Sequence, residues 1–421
     1  MSWKSDPRPF PLPSTIDPWI ERTLIKDILH DNIGLLDQAI GKAKSFGIPQ
    51  MRDWGVEDSK SFLLFASGML TWTPSEICSG KLIYWTLCLF YFILDQEPLN
   101  DPGLSTPINH SSTGKPLKPL SDWVVEYAKK VGAYMDTPSS ITQKSIQSFQ
   151  NSPKYNFDEA IVPPGGFKTF NQLFARTLKP GSRPISAPGD DRVVVYPADS
   201  TFDGAWDIDQ KDLVTIKNLP WDIHSLLTSS KYAEKFHGGK WMHAFLNTFD
   251  YHRQHAPVSG IVREASVIQG LAYLNVLADK GTLRQHRRII PKNPDASDDL
   301  DAPDNAGYQF LQTRGLVIIE NDLLGYVAVL PIGMAQVSSV KLVWKPSAAE
   351  GKYPIYPNAK INKGDEISHF EFGGSDIVLV FQADADLQIL GAQGVDSDGN
   401  ETSKQKYLVG MPLGFSTKQI N

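Results

Sequence analysis

A serine that directly follows two glycines is the first residue in this sequence with clear chemical potential. Ser375 comes after Gly373 and Gly374, at the start of the apolar run 377–381. Because glycine has no Cβ, its backbone adopts dihedral angles that other residues avoid, and a nucleophile can approach a neighbouring carbonyl carbon closely. A glycine bulge at the start of a strand is the alternative interpretation, and the tripeptide alone favours it.

Two histidines three residues apart form the second candidate. His252 and His255 would share one face of a helix but lie on opposite faces of a regular strand, and Pro257 disfavours a long helix. Imidazole suits proton transfer because its unperturbed pKa, about 6.5, is close to neutral pH. A metal site is the alternative, and it would need a third ligand such as Asp199 or His243.

An aspartate at the end of a β-branched run completes the set. Asp199 comes after Pro197 and Ala198, which follow the run 193–196. In the structural interpretation Asp199 forms an Asx turn, and in the functional one its carboxylate orients a histidine, as in hydrolytic triads. The order of the three residue types along the chain does not decide between these, because triads are recognised by their geometry.

The composition limits the classes of protein to which the chain can belong. Its 421 residues suffice for two domains. A formal net charge of −6 without a basic run argues against nucleic-acid binding and against strong adhesion to an anionic membrane. Cys78 and Cys88 form neither a disulfide framework nor a zinc motif, and no secretory signal is present. We therefore expect a cytoplasmic protein.

The most apolar segment predicts a buried helix. Residues 82–94 are 13 residues long, whereas a membrane-spanning helix needs about 20. A segment that lies in a membrane interface is the alternative. Residues 73–76, Thr-Pro-Ser-Glu, are typical of a helix start because proline follows the capping residue and glutamate lies in the first turn.

A change of pattern along the chain predicts two regions. Apolar residues recur at helical spacing between about 18 and 133, and residues 136–164 form a polar link. Beyond it, short β-branched runs alternate with Gly, Pro and Asn, and residues 320–325 resemble a hairpin loop. The expected fold is α+β, with a helical N-terminal region over residues 1–160 and a mostly antiparallel β domain over residues 161–421.

Residues 280–307 interrupt the β pattern. They have no periodicity and change from a basic to an acidic composition. A long segment of this kind in a compact domain is usually either functional or disordered. We therefore leave two interpretations open, a mobile solvated loop and a lid or specificity loop.

Four motifs in the second half of the chain resemble those of the phosphatidylserine decarboxylase family, and they occur in the family's order. They are an entry motif at residues 167–185, the Pro-Ala-Asp motif that ends at Asp199, the Tyr-His-Arg-x-His-x-Pro-x-x-Gly motif at residues 251–260, and a cleavage motif at residues 363–375. Four motifs in order are a specific signal. They say nothing about the helical N-terminal region.

The resemblance implies an inactive precursor that processes itself. Ser375 attacks the carbonyl carbon of Gly374, with His255 as the base and Asp199 orienting that base. The ester that results undergoes β-elimination, so the serine becomes a pyruvoyl group at a new chain terminus. This is nucleophilic catalysis directed once at the protein's own backbone.

The resemblance also implies the chemistry of the mature protein. The chains 1–374 and 375–421 remain partners, and the pyruvoyl group made from Ser375 is the cofactor; no metal is expected. Its ketone forms a Schiff base with a substrate amine and accepts the electrons released as carbon dioxide leaves. His252 is the acid that protonates the resulting carbanion.

Two departures from the family pattern bear on the substrate. Lipid-acting members carry Gly-Ser-Thr at the cleavage site, where this chain has Gly374-Ser375-Asp376, and no membrane span or strong basic patch is evident. The helical N-terminal region and the Gly-Gly-Ser site are more similar to the soluble fungal branch that includes tryptophan decarboxylases. We therefore expect a free amino acid, aromatic ones included, or a small amine-bearing metabolite of secondary metabolism.

Three alternatives stay open. A phosphatidylserine decarboxylase that makes phosphatidylethanolamine would carry the same motifs. A serine hydrolase would use Ser375, His255 and Asp199 on an external acyl group and would never cleave itself. A binding protein on the same scaffold would catalyse neither reaction.

Overall fold

The computed structural model has helices in its first part and strands in its second, which confirms the predicted α+β class. It describes the following residues: 8–209, 211–216, 219–228, 230–274, 276–279, 282–285, 307–336, 340–343, 356–391 and 405–418. Most of the segment 280–307, for which the sequence allows either a solvated loop or a lid, lies outside the described residues.

Helices make up most of the N-terminal region, and two short ones lie within the described part of the β region. The α-helices are α1 Pro18–Ile20, which continues as a π-helix over Glu21–Ile28, α2 Gly34–Ser45, α3 Pro49–Trp54, α4 Ser59–Leu70, α5 Leu82–Leu94, α6 Pro119–Met135, α7 Gln143–Gln150, α8 Phe170–Phe174 and α9 Ile223–Leu227. The 3₁₀ turns are His110–Ser112, Pro138–Ser140, Pro153–Tyr155, Phe157–Glu159, Ala233–Phe236, Tyr308–Phe310 and Ala383–Ala385.

The strands are β1 Val193–Val195, β2 Ser200–Asp207, β3 Leu213–Ile216, β4 Leu219–Asp222, β5 Lys240–Leu246, β6 Arg253–His255, β7 Gly260–Ile268, β8 Val276–Asp279, β9 Thr282–Gln285, β10 Arg314–Asn321, β11 Gly325–Gly333, β12 Val340–Leu342, β13 Lys360–Ile361, β14 Glu366–Phe370, β15 Ser375–Phe381, β16 Leu387–Ile389, β17 Lys406–Tyr407 and β18 Pro412–Ser416. Eight of them form the main sheet, in the order β13-β7-β10-β11-β15-β5-β2-β17.

The apolar segment 82–94 is the helix α5, and it is buried almost throughout, as predicted. Residues 73–76 are not helical, so that predicted helix start is wrong. The reason is that the Glu76 carboxylate accepts the backbone N–H of Leu82 at 2.7 Å and caps α5 from outside the helix. No helix in the described part of the chain is long and apolar enough to cross a membrane.

The predicted hairpin is confirmed, and it supports the centre of the main sheet. Strands β10 and β11 pair antiparallel up to the contact between Asn321 and Gly325. Next to β11 lies β15, which pairs antiparallel with both β11 and β5. Strand β15 is buried on both faces, so its side chains enter two different apolar cores on alternate residues.

The N-terminal helices pack onto the sheet near the end of β11. The Tyr91 hydroxyl of α5 donates to the Ala272 carbonyl at 2.9 Å and accepts the backbone N–H of Gln336 at 3.0 Å. The ring of Trp72 makes an edge contact with Phe372, which lies three residues before Ser375. One apolar core therefore includes both the helices and the start of β15. The division at residue 160 stays a prediction.

Candidate active site

Ser375 is the first residue of β15, and it has no exposed surface. Its neighbours across the sheet are Gly333 of β11 and Leu246 of β5, and both pairings are regular along the whole of β15. A glycine bulge at the start of the strand would have shifted this register. The backbone of Gly373 has φ 146°, a conformation that side chains other than glycine rarely adopt.

The peptide group before Ser375 is held on both sides by the turn that follows β11. The Gly374 N–H donates to the Ala335 carbonyl at 2.9 Å, and the Met334 N–H donates to the Gly374 carbonyl oxygen at 2.9 Å. If the Ser375 hydroxyl attacked this carbonyl carbon, negative charge would develop on that oxygen, where a fixed N–H donor stabilises it. Nothing in the sequence pattern around Met334 signals this contact.

His252 is the histidine that contacts the serine. Its Nδ1 lies 3.3 Å from the Ser375 Oγ, and its Nε2 lies 3.3 Å from the Thr248 carbonyl oxygen. Because a carbonyl only accepts, Nε2 carries the hydrogen, and Nδ1 is left as an acceptor for the serine hydroxyl. The ring stacks on Phe174 with 4.0 Å between centroids. Burial, followed by the charge of Arg176, lowers the pKa of His252 to about 3, so the ring is neutral.

His255, which the resemblance implies as the base for Ser375, has other hydrogen-bond partners. Its Nδ1 donates to the Gly364 carbonyl at 2.7 Å, and its Nε2 accepts from the Tyr251 hydroxyl at 3.1 Å. Both ring nitrogens are thus engaged away from Ser375. The cause is local: residues 253–255 form the strand β6, so the two histidines of the motif point in different directions. Burial lowers the pKa of His255.

Asp199 is bound by an arginine instead of a histidine. The Arg183 Nε donates to Asp199 Oδ1 at 2.8 Å and its Nη2 donates to Oδ2 at 2.6 Å, while the Val409 N–H donates to Oδ1 at 2.9 Å. The expected hydrogen bond from His255 is replaced because this guanidinium fork takes both carboxylate oxygens. The Asp199 charge still acts on His255, since it is among the groups that raise the pKa of that ring.

The loop before Ser375 is fixed by the first of the four motifs, residues 167–185. The Phe372 N–H donates to Asn171 Oδ1 at 3.0 Å, and Asn171 Nδ2 donates to Asp136 Oδ1 at 3.0 Å. The Phe372 ring also makes an edge contact with Phe174, the residue that stacks on His252. The first and last motifs therefore meet at the serine, although some 200 residues separate them.

A second polar group, here named the ionic cluster, lies on the other face of β15 and comprises His243, Asp203, Asp376 and Tyr308. His243 places Nδ1 3.0 Å from Asp203 Oδ2 and Nε2 3.0 Å from Asp376 Oδ2, and the Tyr308 hydroxyl donates to Asp376. Burial alone would lower the pKa of His243, but the two carboxylates outweigh it and raise that pKa to about 9. Sequence reasoning considered His243 only as a metal ligand.

The alternative of a metal bound by His252 and His255 finds no support in the geometry, because the two rings have separate partners. Within the described residues, the side chains close enough to hold a metal together are Asp212, His224 and Glu234. This group lies around α9 and includes none of the residues at Ser375.

Comparison with known proteins places the site in a family. The family model described as phosphatidylserine decarboxylase matches residues 170–404, which include Ser375, both histidines of the motif and Asp199. The chain belongs to the phosphatidylserine decarboxylase family. The match confirms the resemblance on which the site prediction rests, and the roles of the individual residues stay predictions.

The proteins similar to this chain are named as decarboxylases. The chain is 31% identical over 254 residues to phosphatidylserine decarboxylase proenzyme 3 of Schizosaccharomyces pombe, covering 60% of this chain and 22% of that one. It is 29% identical over 278 residues to decarboxylase iboD of Amanita muscaria, covering 62% and 74%. It is 30% identical over 262 residues to the phosphatidylserine decarboxylase proenzyme of Chlamydia muridarum, covering 61% and 75%. The chain thus spans under a quarter of the S. pombe protein and most of the other two.

Proposed function

We propose that this chain is a self-processing, pyruvoyl-dependent carboxy-lyase that decarboxylates a free amino acid, aromatic ones included, or a small amine-bearing metabolite. One observation carries the proposal. Ser375 is buried with its Oγ 3.3 Å from the acceptor nitrogen of His252, while the Met334 N–H holds the carbonyl oxygen of the preceding residue. A nucleophile, a proton acceptor and an oxyanion donor therefore converge on one peptide bond.

The proposed cleavage converts that peptide bond into two new chain ends. The Ser375 oxygen bonds to the Gly374 carbonyl carbon, the carbon–nitrogen bond breaks, and the serine proton passes to the released amine. A base then removes the Cα proton of residue 375, which expels the Gly374 carboxylate and leaves a carbon–carbon double bond between Cα and Cβ. A proton returns to Cβ as this becomes an imine, and water then replaces the nitrogen, which leaves as ammonia. The products are chains 1–374 and 375–421, and the second has 47 residues.

The residues present fit a pyruvoyl group at this position. The side chain of residue 375 faces a neutral imidazole and the ring that stacks on it, and its backbone lies in a regular strand. Once formed, such a group supplies a ketone that takes up an amine and the electrons released when carbon dioxide leaves. His252 contacts the side chain of residue 375, so we propose it as the group that would deliver a proton to the substrate carbon, after its Nδ1 has taken one up.

The base of the cleavage step has two candidates. The family resemblance implies His255, with Asp199 beside it, and this assignment requires the His255 ring to exchange Tyr251 and Gly364 for Ser375. The hydrogen bond observed at Ser375 favours His252 instead. Separate alanine variants of the two histidines decide between them, as set out in the Discussion.

A small substrate is supported by the enclosure of the site. Ser375 and His252 both have no exposed surface, which suits a free amino acid better than a headgroup held on a bilayer. Phosphatidylserine is the alternative substrate, and it is favoured by the names of several relatives. We propose the cytoplasm as the compartment, because the sequence has only two cysteines, ten residues apart and without a Cys-x-x-Cys pair, which fits a reducing environment.

A serine hydrolase is the second candidate function, and the contact between Ser375 and His252 favours it. Such an enzyme would keep its chain intact and would attack an external acyl group. The full burial of Ser375 makes it a poor nucleophile for an external substrate. A denaturing gel separates the two functions.

The test is expression of the wild type beside Ser375→Ala and a control, Ser416→Ala, which replaces another buried serine outside the site. The wild type and the control should each yield two chains, and Ser375→Ala should yield one. Carbon dioxide release is then screened with free amino acids, tryptophan included, and with phosphatidylserine in mixed micelles. An intact wild-type chain that releases no carbon dioxide would overturn the proposal.

A further inference from the structure

The ionic cluster ends at the residue that follows the cleavage site. Asp376 is fully buried, and its carboxylate is held by His243 at 3.0 Å and by the Tyr308 hydroxyl. His243 in turn is held by Asp203 at 3.0 Å. These residues belong to the strands β15, β5 and β2 and to the 3₁₀ turn Tyr308–Phe310. Four segments of the chain thus meet at the ionic cluster.

The cluster occupies the face of β15 opposite the serine. Ser375 and Ile377 share one face, and Ile377 packs in the large core together with the helices. Asp376 and Val378 share the other, where Val378 packs in the smaller core with Trp221. Because the apolar side chain of Val378 packs well on that same face, packing alone does not require a charged side chain at position 376.

Cleavage makes an anchor at this position necessary. Before cleavage, Gly374 and its contacts with Met334 and Ala335 hold residue 375 from one side. Afterwards residue 375 is a chain terminus, it has lost its backbone nitrogen, and its only covalent link is to Asp376. Terminal residues of strands fray unless they are tied down, and a shift of about 1 Å at a reacting group can cost about a hundredfold in rate.

We propose that His243 is a positioning residue, which, held between Asp203 and Asp376, fixes the residue that carries the ketone of the processed chain. The inference rests on the proposed function. It assigns no contact between His243 and the substrate. The raised pKa of His243, about 9, agrees with it, because a charged imidazole between two carboxylates stays in place at neutral pH.

The test uses the processed wild type and three variants. His243→Gln removes the charge and keeps a side chain that can hydrogen-bond, and Tyr308→Phe removes one hydrogen bond to Asp376 as a milder change. Val380→Ala is the matched control, because it weakens the same face of β15 without touching the cluster. For each protein, mass spectrometry first measures the fraction of chain 375–421 that has formed.

Two further readouts separate positioning from general weakening of the fold. The first is kcat and KM for the substrate found in the screen. The second is the rate at which phenylhydrazine, an external nucleophile, adds to the ketone. In His243→Gln we expect cleavage to persist, kcat to fall by about tenfold to a hundredfold with KM changed by less than about threefold, and phenylhydrazine to add faster because the terminus is loose. Tyr308→Phe should change both rates less, and Val380→Ala should change neither by more than about twofold.

A His243→Gln protein with wild-type kcat, or with lower kcat and an unchanged phenylhydrazine rate, would overturn the inference while leaving the proposed function intact. Failure of the proposed function shows itself earlier and differently, as a wild-type chain that never cleaves. If His243→Gln does not fold, Tyr308→Phe decides, since an unchanged kcat and phenylhydrazine rate in that variant would also overturn the inference.

Discussion

The histidines on the two faces of strand β15 differ in charge, because one is neutral and the other is protonated at neutral pH. On the serine face, His252 is buried against Phe174 near a guanidinium, and its pKa is lowered to about 3. On the other face, His243 is equally buried, but two carboxylates hold it and its pKa is raised to about 9. Burial lowers both pKa values, so the neighbouring charges decide the outcome.

This difference shows how one strand can present a reacting side chain on one face and a side chain that anchors the strand on the other. Adjacent residues of a strand point to opposite faces, so Ser375 and Asp376 enter different surroundings although they are joined by one bond. The neutral face offers a nitrogen that can exchange a proton with residue 375. The ionic face offers a fixed anchor for the residue next to it.

The largest expected effect is on the serine face. If the two histidines divide the roles as the resemblance implies, His252→Ala should still cleave but should lose turnover by about 10²–10⁴-fold, because a positioned general acid contributes that much. The control is His369→Ala, which removes a partly exposed histidine whose pKa is also lowered. Gels report cleavage and carbon dioxide release reports turnover.

The companion variant His255→Ala decides the base of the cleavage step. If His255 is the base, as the resemblance implies, this variant should remain a single chain. A single chain in His252→Ala together with cleavage in His255→Ala would reverse the division of roles and would assign both proton transfers to His252.

The next effect concerns stability against pH, measured by urea unfolding of the uncleaved Ser375→Ala protein. For His243, the folded pKa is about 9 and the unfolded one about 6.5, so its stabilising contribution is complete below pH 6.5 and is lost as pH rises to 9. The amount is on the order of 3 kcal/mol. The groups that face His243 are Asp203, Asp376, Tyr308 and Gln309.

His252 should give the opposite slope. Its folded pKa of about 3 lies below the unfolded value, so the unfolded chain takes up a proton first, and stability falls as pH drops from 6.5 towards 3. Adding His243→Gln should flatten the alkaline limb only, and adding His252→Ala should reduce the acid limb only. A His243→Gln protein that still loses stability as pH rises from 6.5 to 9 would contradict the assignment of that loss to His243.

The smallest effect is a shift in one pKa. The Arg176 guanidinium is the largest charge that lowers the pKa of His252, second only to burial. Arg176→Met should therefore raise that pKa, yet leave it below 6.5 because burial persists. NMR titration of the His252 ring measures the change, with His369 in the same sample as the internal control. An unchanged pKa would mean that burial alone keeps His252 neutral.

The sequence predicted those parts of the molecule that depend on local pattern. The helix over residues 82–94 followed from an apolar run of the right length, and the hairpin of β10 and β11 followed from two β-branched runs around a short polar link.

The parts that were missed depend on contacts between distant segments. Asp199 was expected to hold a histidine, but Arg183 binds it, and the signal for this was an arginine within the entry motif. The Met334 N–H at the Gly374 carbonyl is a backbone contact, which no side-chain pattern reports. His243 and Asp376 meet only because β5 and β15 pair in one register, which the sequence does not specify.

The most direct test of the central claim is the exact mass of the small chain. The account predicts that the purified wild type contains chain 375–421 lighter by one ammonia than a chain beginning with serine, and that phenylhydrazine adds to it once. A chain 375–421 with an N-terminal serine would mean simple hydrolysis at the Gly374–Ser375 bond. That mass, or an intact chain of 421 residues, would contradict the account.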